Sequence, residues 1–211
     1  MEGILLVLLI IISYLLGSIS FSYIIAQKIK KVDIRQHGSG NAGATNTLRV
    51  LGLGPALAVL ALDVFKGVVV VWLGFWIAGT ELGWSAWFPV AAGLAAIIGH
   101  NWPIYYRFKG GKGVATTIGV LATLVFWPAL IAGIIAIISI VFTRYVSLGS
   151  LLFMLLTPVS TFLLLPYIEY PHVFIYLTLV VAVLSVWRHR TNVLRIFNGT
   201  ESKIGQKSSA S

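Results

Sequence analysis

The sequence predicts an all-α integral membrane protein with seven transmembrane helices, its N-terminus outside and its C-terminus in the cytoplasm. Three observations lead to this prediction. Hydrophobic residues make up 58% of the 211 residues and charged residues only 10%, and the mean hydropathy of +0.96 is more than the surface of a soluble domain tolerates. Apolar runs long enough to cross a bilayer recur along the chain. The basic residues lie almost entirely between those runs.

Five apolar runs are assigned as single spans, and a sixth run needs a further argument. The single spans cover residues 4–25, 55–78, 84–98, 151–165 and 172–187. The run 114–142 is either one long helix or two short helices broken at Trp127-Pro128. With two helices, every Lys and Arg except Lys66 falls on one face, as the positive-inside rule requires. We therefore expect two spans there, each of about 14 residues and shorter than the ~30 Å hydrocarbon core.

The domain organisation follows from these spans. We assign residues 1–198 to a single transmembrane domain with active-site loops on its cytoplasmic face, and residues 199–211 to a polar, flexible tail. The first span lacks the basic region that precedes a cleaved signal, so we expect it to be retained. The chain has no cysteine, which excludes disulfides and thiolate chemistry. Nucleic-acid binding is disfavoured because no soluble domain presents the net charge of +9.

The first polar stretch, HGSGNAGATNTLR, covers residues 37–49. Its glycines, Gly38, Gly40 and Gly43, allow positive φ angles, so that several backbone N–H groups can point at one anion. Its other polar groups come from Ser39, Asn41, Thr45, Asn46 and Arg49. The stretch fits neither GxxxxGK[ST] nor GxGxxG. A flexible linker is the alternative, but the density of amides and hydroxyls favours a phosphate-binding loop.

The second polar stretch, residues 99–117, contains a lysine among glycines. Lys112 is bracketed by Gly110, Gly111 and Gly113 where the next helix should begin. A lysine beside free N–H groups and the positive end of a helix dipole suits a phosphate. The alternative is an interfacial lysine whose ammonium reaches the membrane surface. The preceding His100 and Asn101 either cap a helix or act in catalysis, and the sequence does not decide between these roles.

The third polar stretch, WRHRTN, ends the last span. His189 is a general base, a hydrogen-bonding group or a plain interfacial histidine, and Asn192 follows it by three residues. A smaller stretch, residues 144–150, ends at Ser150. Asp63 and Lys66 share one face of the second span. They are either part of a functional site or a structural pair that neutralises its own charges.

The patterns of familiar hydrolases and acyltransferases are missing from the sequence. None of the four histidines begins an HxxxxD pattern, and neither GxSxG nor HExxH occurs. An enzyme with this inventory must therefore use substrates that bring phosphates and much of the reactivity themselves. The rival interpretation is a transporter or channel for phosphorylated anions. A transporter needs polar groups along several spans, and only Asp63 and Lys66 are available within them.

Three motifs resemble those of the bacterial membrane acyl-phosphate:glycerol-3-phosphate acyltransferase family. They are GSGNAGATN with the arginine that follows it, GHNWP with FKGGKGVAT, and RHRTN, and the similarity extends over residues 1–200. The resemblance implies transfer of a fatty acyl group from acyl phosphate to the 1-hydroxyl of glycerol-3-phosphate. It also implies that the protein lies in the bacterial inner membrane and performs the first acylation step of phospholipid synthesis. A transient contact with the soluble enzyme that makes acyl phosphate is a further expectation. We expect neither a metal nor another cofactor.

The same resemblance implies roles for individual residues. The residues expected to be catalytic are Ser39, Lys112, His189 and Asn192. Those expected to bind substrate are Gly38, Gly40, Asn41, Gly43, Thr45, Asn46, Arg49, Gly110, Gly111, Gly113 and Ser150. Ser39 and neighbouring amides would hold the acyl-phosphate head group, and Arg49 and Lys112 would bind phosphate charge. The proton of the attacking hydroxyl would pass to the phosphate of glycerol-3-phosphate.

Overall fold

A computed structural model of the chain describes residues 2–79 and 84–206. Within these ranges all regular structure is helical and no strand occurs, which confirms the predicted all-α class. The α-helices run over Glu2–Gly17 (α1), Phe21–Lys30 (α2), Ala44–Leu51 (α3), Leu53–Ala78 (α4), Trp87–Asn101 (α5), Val114–Leu124 (α6), Phe126–Thr143 (α7), Val146–Leu164 (α8), Val173–Arg188 (α9) and Arg190–Phe197 (α10). Short 3-10 turns cover Ile34–Gln36, Trp84–Ala86 and Ile104–Tyr106.

Four segments are long and apolar enough to cross a membrane in the described part of the chain. They are Glu2–Lys30, which joins α1 and α2, and the helices α4, α7 and α8. A fifth arises if α9 and α10, bent by 60° at their junction, count as one span. The chain is therefore a multi-pass membrane protein, whereas seven spans and the side on which each terminus lies stay predictions.

The chain divides into two compact units. Unit one is formed by the described residues of Met1–Thr123, and unit two by Leu124–Gln206. In unit one, α1, α4 and α5 enclose a buried apolar cluster that includes Leu9, Val70 and Phe88. A Cβ at Gly17 would collide with the backbone of Ala96, so a small residue lets α1 and α5 pack closely.

The first span is not the continuous helix that the sequence predicts. α1 ends at Gly17 and α2 begins at Phe21. The hydroxyl of Ser18 donates to the carbonyl of Tyr14 over 2.8 Å, a local bond that competes with helix continuation. The interruption leaves the carbonyl groups of Gly17 and Ile19 without helical partners, and Lys66 of α4 donates to both, as described below.

The run 114–142 forms two helices as predicted, but the break lies before the predicted position and the two helices differ in length. Val125 separates α6, of 11 residues, from α7, of 18. Pro128 lies in the first turn of α7. A proline is tolerated there because the first backbone N–H groups of a helix have no intrahelical partner. The break therefore precedes the Trp127-Pro128 pair.

Unit two is built on the packing of α8 against α7 and α9. α8 begins at Val146, five residues before the predicted span, so Ser150 lies on a helix. Within the described part of the tail, the N–H of Ile204 donates to the carbonyl of Arg144 over 2.9 Å, and the Arg144 guanidinium donates to the Ile204 carbonyl over 2.8 Å. These bonds join Ile204 to the α7–α8 turn, and a flexible tail over residues 199–211 stays a prediction.

Candidate active site

The glycine loop, residues 37–43, precedes α3 in unit one. Gly38 has φ +61° and Gly40 has φ +71°, a conformation that glycine adopts without strain. A Cβ at Gly38 would also collide with the Asn46 side chain. Gly43 is the N-cap of α3, and its carbonyl accepts from the backbone and the hydroxyl of Thr47. The predicted positive φ is thus present at Gly38 and Gly40, whereas Gly43 has an extended backbone with φ −165°.

Asn46 organises the glycine loop from within. Its Oδ1 accepts from the backbone N–H of Ser39 over 2.8 Å. Its Nδ2 donates to the carbonyls of Ile34 and His37 over 3.1 and 2.9 Å. The side chain is fully buried, and its bonds join the loop to the preceding turn at Ile34. This geometry favours a positioning role for Asn46, and direct contact with substrate stays a prediction.

The remaining polar groups of this stretch are more accessible. Ser39 is exposed at the tip of the loop, and Asn41 and Thr45 are half-buried. Arg49 is half-buried on α3, and within the described ranges it has neither a hydrogen bond nor an ion pair. An arginine kept partly from water without a counter-charge is available to an anionic ligand.

The Gly-Lys loop, residues 110–113, leads directly into α6, as the sequence predicts. The N–H of Gly111 donates to the His100 carbonyl over 3.1 Å. A Cβ at Gly110 would collide with that carbonyl, and one at Gly111 with the His100 ring and with the carbonyl of Ala42. Ala42 belongs to the glycine loop. The structure therefore packs the two predicted phosphate-binding loops of unit one directly together, with Lys112 half-buried at the start of α6.

Arg35 and its partners form a clamp that joins the segments leading into the two loops. Arg35 pairs with Asp33 at 2.7 Å and donates from Nη1 to the Tyr106 carbonyl over 3.0 Å. Its guanidinium also lies over the Tyr23 ring, 5.1 Å from the centroid. The hydrogen bond from Arg35 holds the pKa of Asp33 below its ordinary value. The clamp keeps both partners charged and ties the approach to each loop in place.

In unit two, His189 and Asn192 of the third motif are both buried at or just after the α9–α10 junction. His189 is 2% exposed, and its Nδ1 lies 2.9 Å from the Ser185 carbonyl oxygen. Because a carbonyl only accepts, Nδ1 carries the proton and Nε2 is unprotonated in the neutral ring. Asn192 donates from Nδ2 to Glu201 over 2.6 Å. Ser150, also buried, donates to the Val146 carbonyl.

Glu201 is a candidate functional residue that the sequence did not single out. Its carboxylate is buried and accepts from Ser147 Oγ and Asn192 Nδ2, each over 2.6 Å, and from Arg195 Nε over 2.7 Å. Burial acts to raise the pKa of Glu201, but the three hydrogen bonds outweigh it and hold the pKa below its ordinary value. The only signal in the sequence was an acidic residue in an otherwise basic tail.

The charges inside α4 form a third group, also in unit one. Lys66 Nζ lies 2.7 Å from Asp63 Oδ1, and both side chains are buried. The same ammonium lies 3.0 Å from His100 Nδ1. Across the described part of the chain, no three His, Cys, Asp or Glu side chains are grouped as a metal site.

Comparison with known proteins identifies the relatives of this chain. Residues 7–199 match the family model described as glycerol-3-phosphate acyltransferase. The chain is 66% identical over 200 residues to the glycerol-3-phosphate acyltransferase of Halalkalibacterium halodurans, covering 95% of this chain and 96% of that protein. It is 64% identical over 198 residues to the protein of the same name from Shouchella clausii, covering 94% and 95%.

Solved structures of similar fold belong to the same group of proteins. A crystal structure of PlsY (YgiH), an integral membrane glycerol 3-phosphate acyltransferase, in its glycerol 3-phosphate form matches with a TM-score of 0.83 at 36% identity, covering 95% of this chain and 96% of that one. The lysophosphatidic acid form matches with a TM-score of 0.81 at 35% identity, covering 95% of each chain. The all-helical integral membrane fold of this chain is therefore shared with those structures.

Proposed function

This chain belongs to the glycerol-3-phosphate acyltransferase family, and we propose that it transfers a fatty acyl group from acyl phosphate to the 1-hydroxyl of glycerol-3-phosphate. The products are lysophosphatidic acid and inorganic phosphate. The observation that supports this proposal best is the packing of the glycine loop on the Gly-Lys loop. Arg49, on the helix that follows the glycine loop, has no counter-charge among the described residues. Backbone N–H groups, a lysine at a helix start and an arginine are the groups that bind phosphates.

Unit one would supply most of the phosphate binding. Ser39 and the amides at Gly38 and Asn41 would hold one phosphate group, with Thr45 and Asn46 in support. Gly40 and Gly43, whose N–H groups donate to the carbonyls of His37 and Asn41, would shape the loop around it. Arg49 and Lys112 would neutralise phosphate charge, and Gly110, Gly111 and Gly113 would let the backbone approach the phosphate closely. Stabilising the charge on the leaving phosphate accelerates acyl transfer, because that charge develops in the transition state.

Three residues of unit two also have roles in this proposal. His189 and Asn192 would hydrogen-bond substrate, and Ser150 is a further contact in this proposal. The hydroxyl oxygen of glycerol-3-phosphate attacks the acyl carbon, the bond from that carbon to the phosphate oxygen breaks, and the hydroxyl proton passes to the phosphate of glycerol-3-phosphate. An acyl phosphate is already activated, so positioning and charge neutralisation provide much of the rate. A separate protein base is then unnecessary.

The direct test uses purified protein in detergent micelles. With acyl phosphate and glycerol-3-phosphate, we expect equimolar release of lysophosphatidic acid and phosphate, without added metal or nucleotide. Acyl thioesters serve as the competing donors and should give no product. Product from thioesters alone would leave the family intact and refute the acyl-phosphate donor. Absence of any product, together with counterflow of phosphorylated anions in liposomes, would favour the transporter.

The location proposed for this enzyme is the bacterial inner membrane, with a single seven-span domain over residues 1–198. The absence of cysteine allows single cysteines to report sidedness. Cysteines at Ser39 and Ser202 should react only with reagents on the cytoplasmic side. A cysteine at Thr80, outside the described residues, should react from the other side. Labelling at Ser202 from outside would favour six spans instead. A further part of the proposal is that the soluble enzyme that makes acyl phosphate contacts the cytoplasmic face transiently.

A further inference from the structure

A buried ion pair in α4 joins several separate parts of unit one. Lys66 Nζ and Asp63 Oδ1 are 2.7 Å apart, with side chains 6% and 2% exposed. Isolated charges at this depth in a membrane protein are costly, and they persist where they are paired and used. The pair is the starting point of a network that reaches beyond α4.

The ammonium of Lys66 first closes the interruption between α1 and α2. It donates to the carbonyl oxygens of Gly17 and Ile19 over 3.0 and 2.9 Å. These are carbonyls that the broken helix leaves without backbone partners. Broken helices are tolerated inside membranes where side chains satisfy the freed groups. Lys66 therefore fixes the place where α2, and with it the approach to the glycine loop, departs from α1.

The same ammonium also sets the orientation of His100. Nζ lies 3.0 Å from His100 Nδ1, and the Asp63 carboxylate lies 3.5 Å from that nitrogen. The ring edge that carries Nδ1 therefore faces both charges of the ion pair. The other edge of the ring, with Nε2, packs against Gly111, and the His100 carbonyl accepts from the Gly111 N–H.

We infer that Asp63 and Lys66 are positioning residues that act through His100 to hold the Gly-Lys loop in its phosphate-binding geometry. The chain of contacts runs from the ion pair to the His100 ring and from that ring to the backbone beside Lys112. The inference rests on the proposed function, because it assigns these residues to the binding of a phosphorylated substrate. It does not require that any of them touch that substrate.

The KM values of Lys112→Ala are measured first for both substrates. The substrate whose KM rises is the one that the Gly-Lys loop binds. The test is then the neutral pair Asp63→Asn/Lys66→Met, which removes both charges and leaves neither unpaired. We expect this double variant to fold, to raise the KM for the same substrate about tenfold, and to leave the other KM and most of kcat unchanged. Adding Lys112→Ala to it should produce less than the product of the two separate effects.

The His100 variants provide an independent readout. In His100→Gln, the side-chain amide can take the place of the Nε2 edge of the ring beside the loop, whereas His100→Leu removes both ring nitrogens. We expect His100→Gln to keep a KM within a fewfold of the parent, and His100→Leu to match the double variant. The matched control is Ser13→Ala, which removes a buried hydroxyl in α1 that has no hydrogen-bond partner and should change neither KM.

Three results would overturn the inference while leaving the proposed function intact. The first is parental KM values in the neutral pair. The second is an equal loss for both substrates with lowered thermal stability, which marks a purely structural network. The third is failure of the neutral pair and of both His100 variants to fold, which has the same meaning. Absence of acyl transfer in the parent protein would instead refute the proposed function itself.

Discussion

Each unit of the protein buries one carboxylate behind residues expected to act on substrate, but the two carboxylates are neutralised differently. Asp63, inside α4, is paired with a lysine that is itself buried. Glu201, in the tail, receives two bonds from neutral side chains and one from Arg195, whose side chain is 43% exposed. The first carboxylate is part of a closed ion pair, and the second is the acceptor of a hydrogen-bond network.

The difference reflects the surroundings of each carboxylate. A charge within the hydrocarbon layer has no water to stabilise it, so Asp63 needs a full opposite charge. Glu201 lies outside the predicted spans, where a partly solvated arginine and two neutral donors suffice. Removing the pair as a unit leaves no charge in α4 without its counter-charge, although it also removes the donor to the Gly17 and Ile19 carbonyls. Removing the acceptor in the tail leaves an arginine and two neutral donors without their partner.

The largest expected effect would be seen in Glu201→Ala. The substitution removes the acceptor of Asn192 and Ser147, which costs roughly 1.5–3 kcal/mol for each bond to a charged group. We expect at least a hundredfold loss of acyl transfer in initial-rate assays of purified protein. Glu201→Gln keeps one acceptor oxygen and should lose less. Glu169→Gln, at an exposed acid in the same unit, is the control and should keep the parental activity. Near-parental activity of Glu201→Ala would show that the buried acceptor in the tail is not required.

The second effect concerns the two cations of unit one. Lys112→Ala and Arg49→Ala each remove a charge-assisted phosphate contact, worth about 1.5–3 kcal/mol, or roughly ten- to a hundredfold in activity. Lys28→Ala, at an exposed lysine of α2 that has neither a hydrogen bond nor an ion pair within the described ranges, is the matched control and should be nearly silent. Equal losses in all three variants would mean that only the general surface potential matters.

A smaller effect separates the two possible roles of His189 in unit two. Glutamine keeps part of the hydrogen bonding but cannot take a proton, so we expect about a tenfold loss in His189→Gln. The acid limb of the pH–rate profile should remain, because the second ionisation of the substrate phosphate, with a pKa of about 6, still occurs. Disappearance of that limb together with nearly all turnover would make His189 the general base.

The smallest effect is on stability in acid. The folded-state pKa values of Asp33 and Glu201 are lowered, so their contributions are fully present above the unfolded pKa values, near 4. They are lost as pH falls through the lower folded values. Thermal melts in detergent should therefore drop below about pH 4. Asp33→Asn should flatten this drop only slightly, because its partly exposed pair with Arg35 is worth at most about 1 kcal/mol. Glu201→Gln should flatten it more.

The sequence predicted local features well and tertiary partners poorly. The glycines that need positive φ and the position of Lys112 before a helix have local signatures, and Asp63 and Lys66 were conspicuous as charges in an apolar run. Their link to His100 was invisible because 34 residues separate it from Lys66. Glu201 was missed because an acid in a polar tail has no pattern of its own. The α1–α2 interruption depends on a lysine from another helix, so no local propensity predicts it.

The spacing of Asp63 and Lys66 has a consequence for the synthesis of the protein. α4 leaves the ribosome before α5, so His100 is not yet present when α4 enters the membrane. A single charge at the centre of a helix costs about 2.5–3.5 kcal/mol during insertion by the translocon. The two charges lie at i and i+3, so they neutralise each other within one helix. α4 therefore carries its own counter-ion into the bilayer, and the partners from α1 and α5 join after integration.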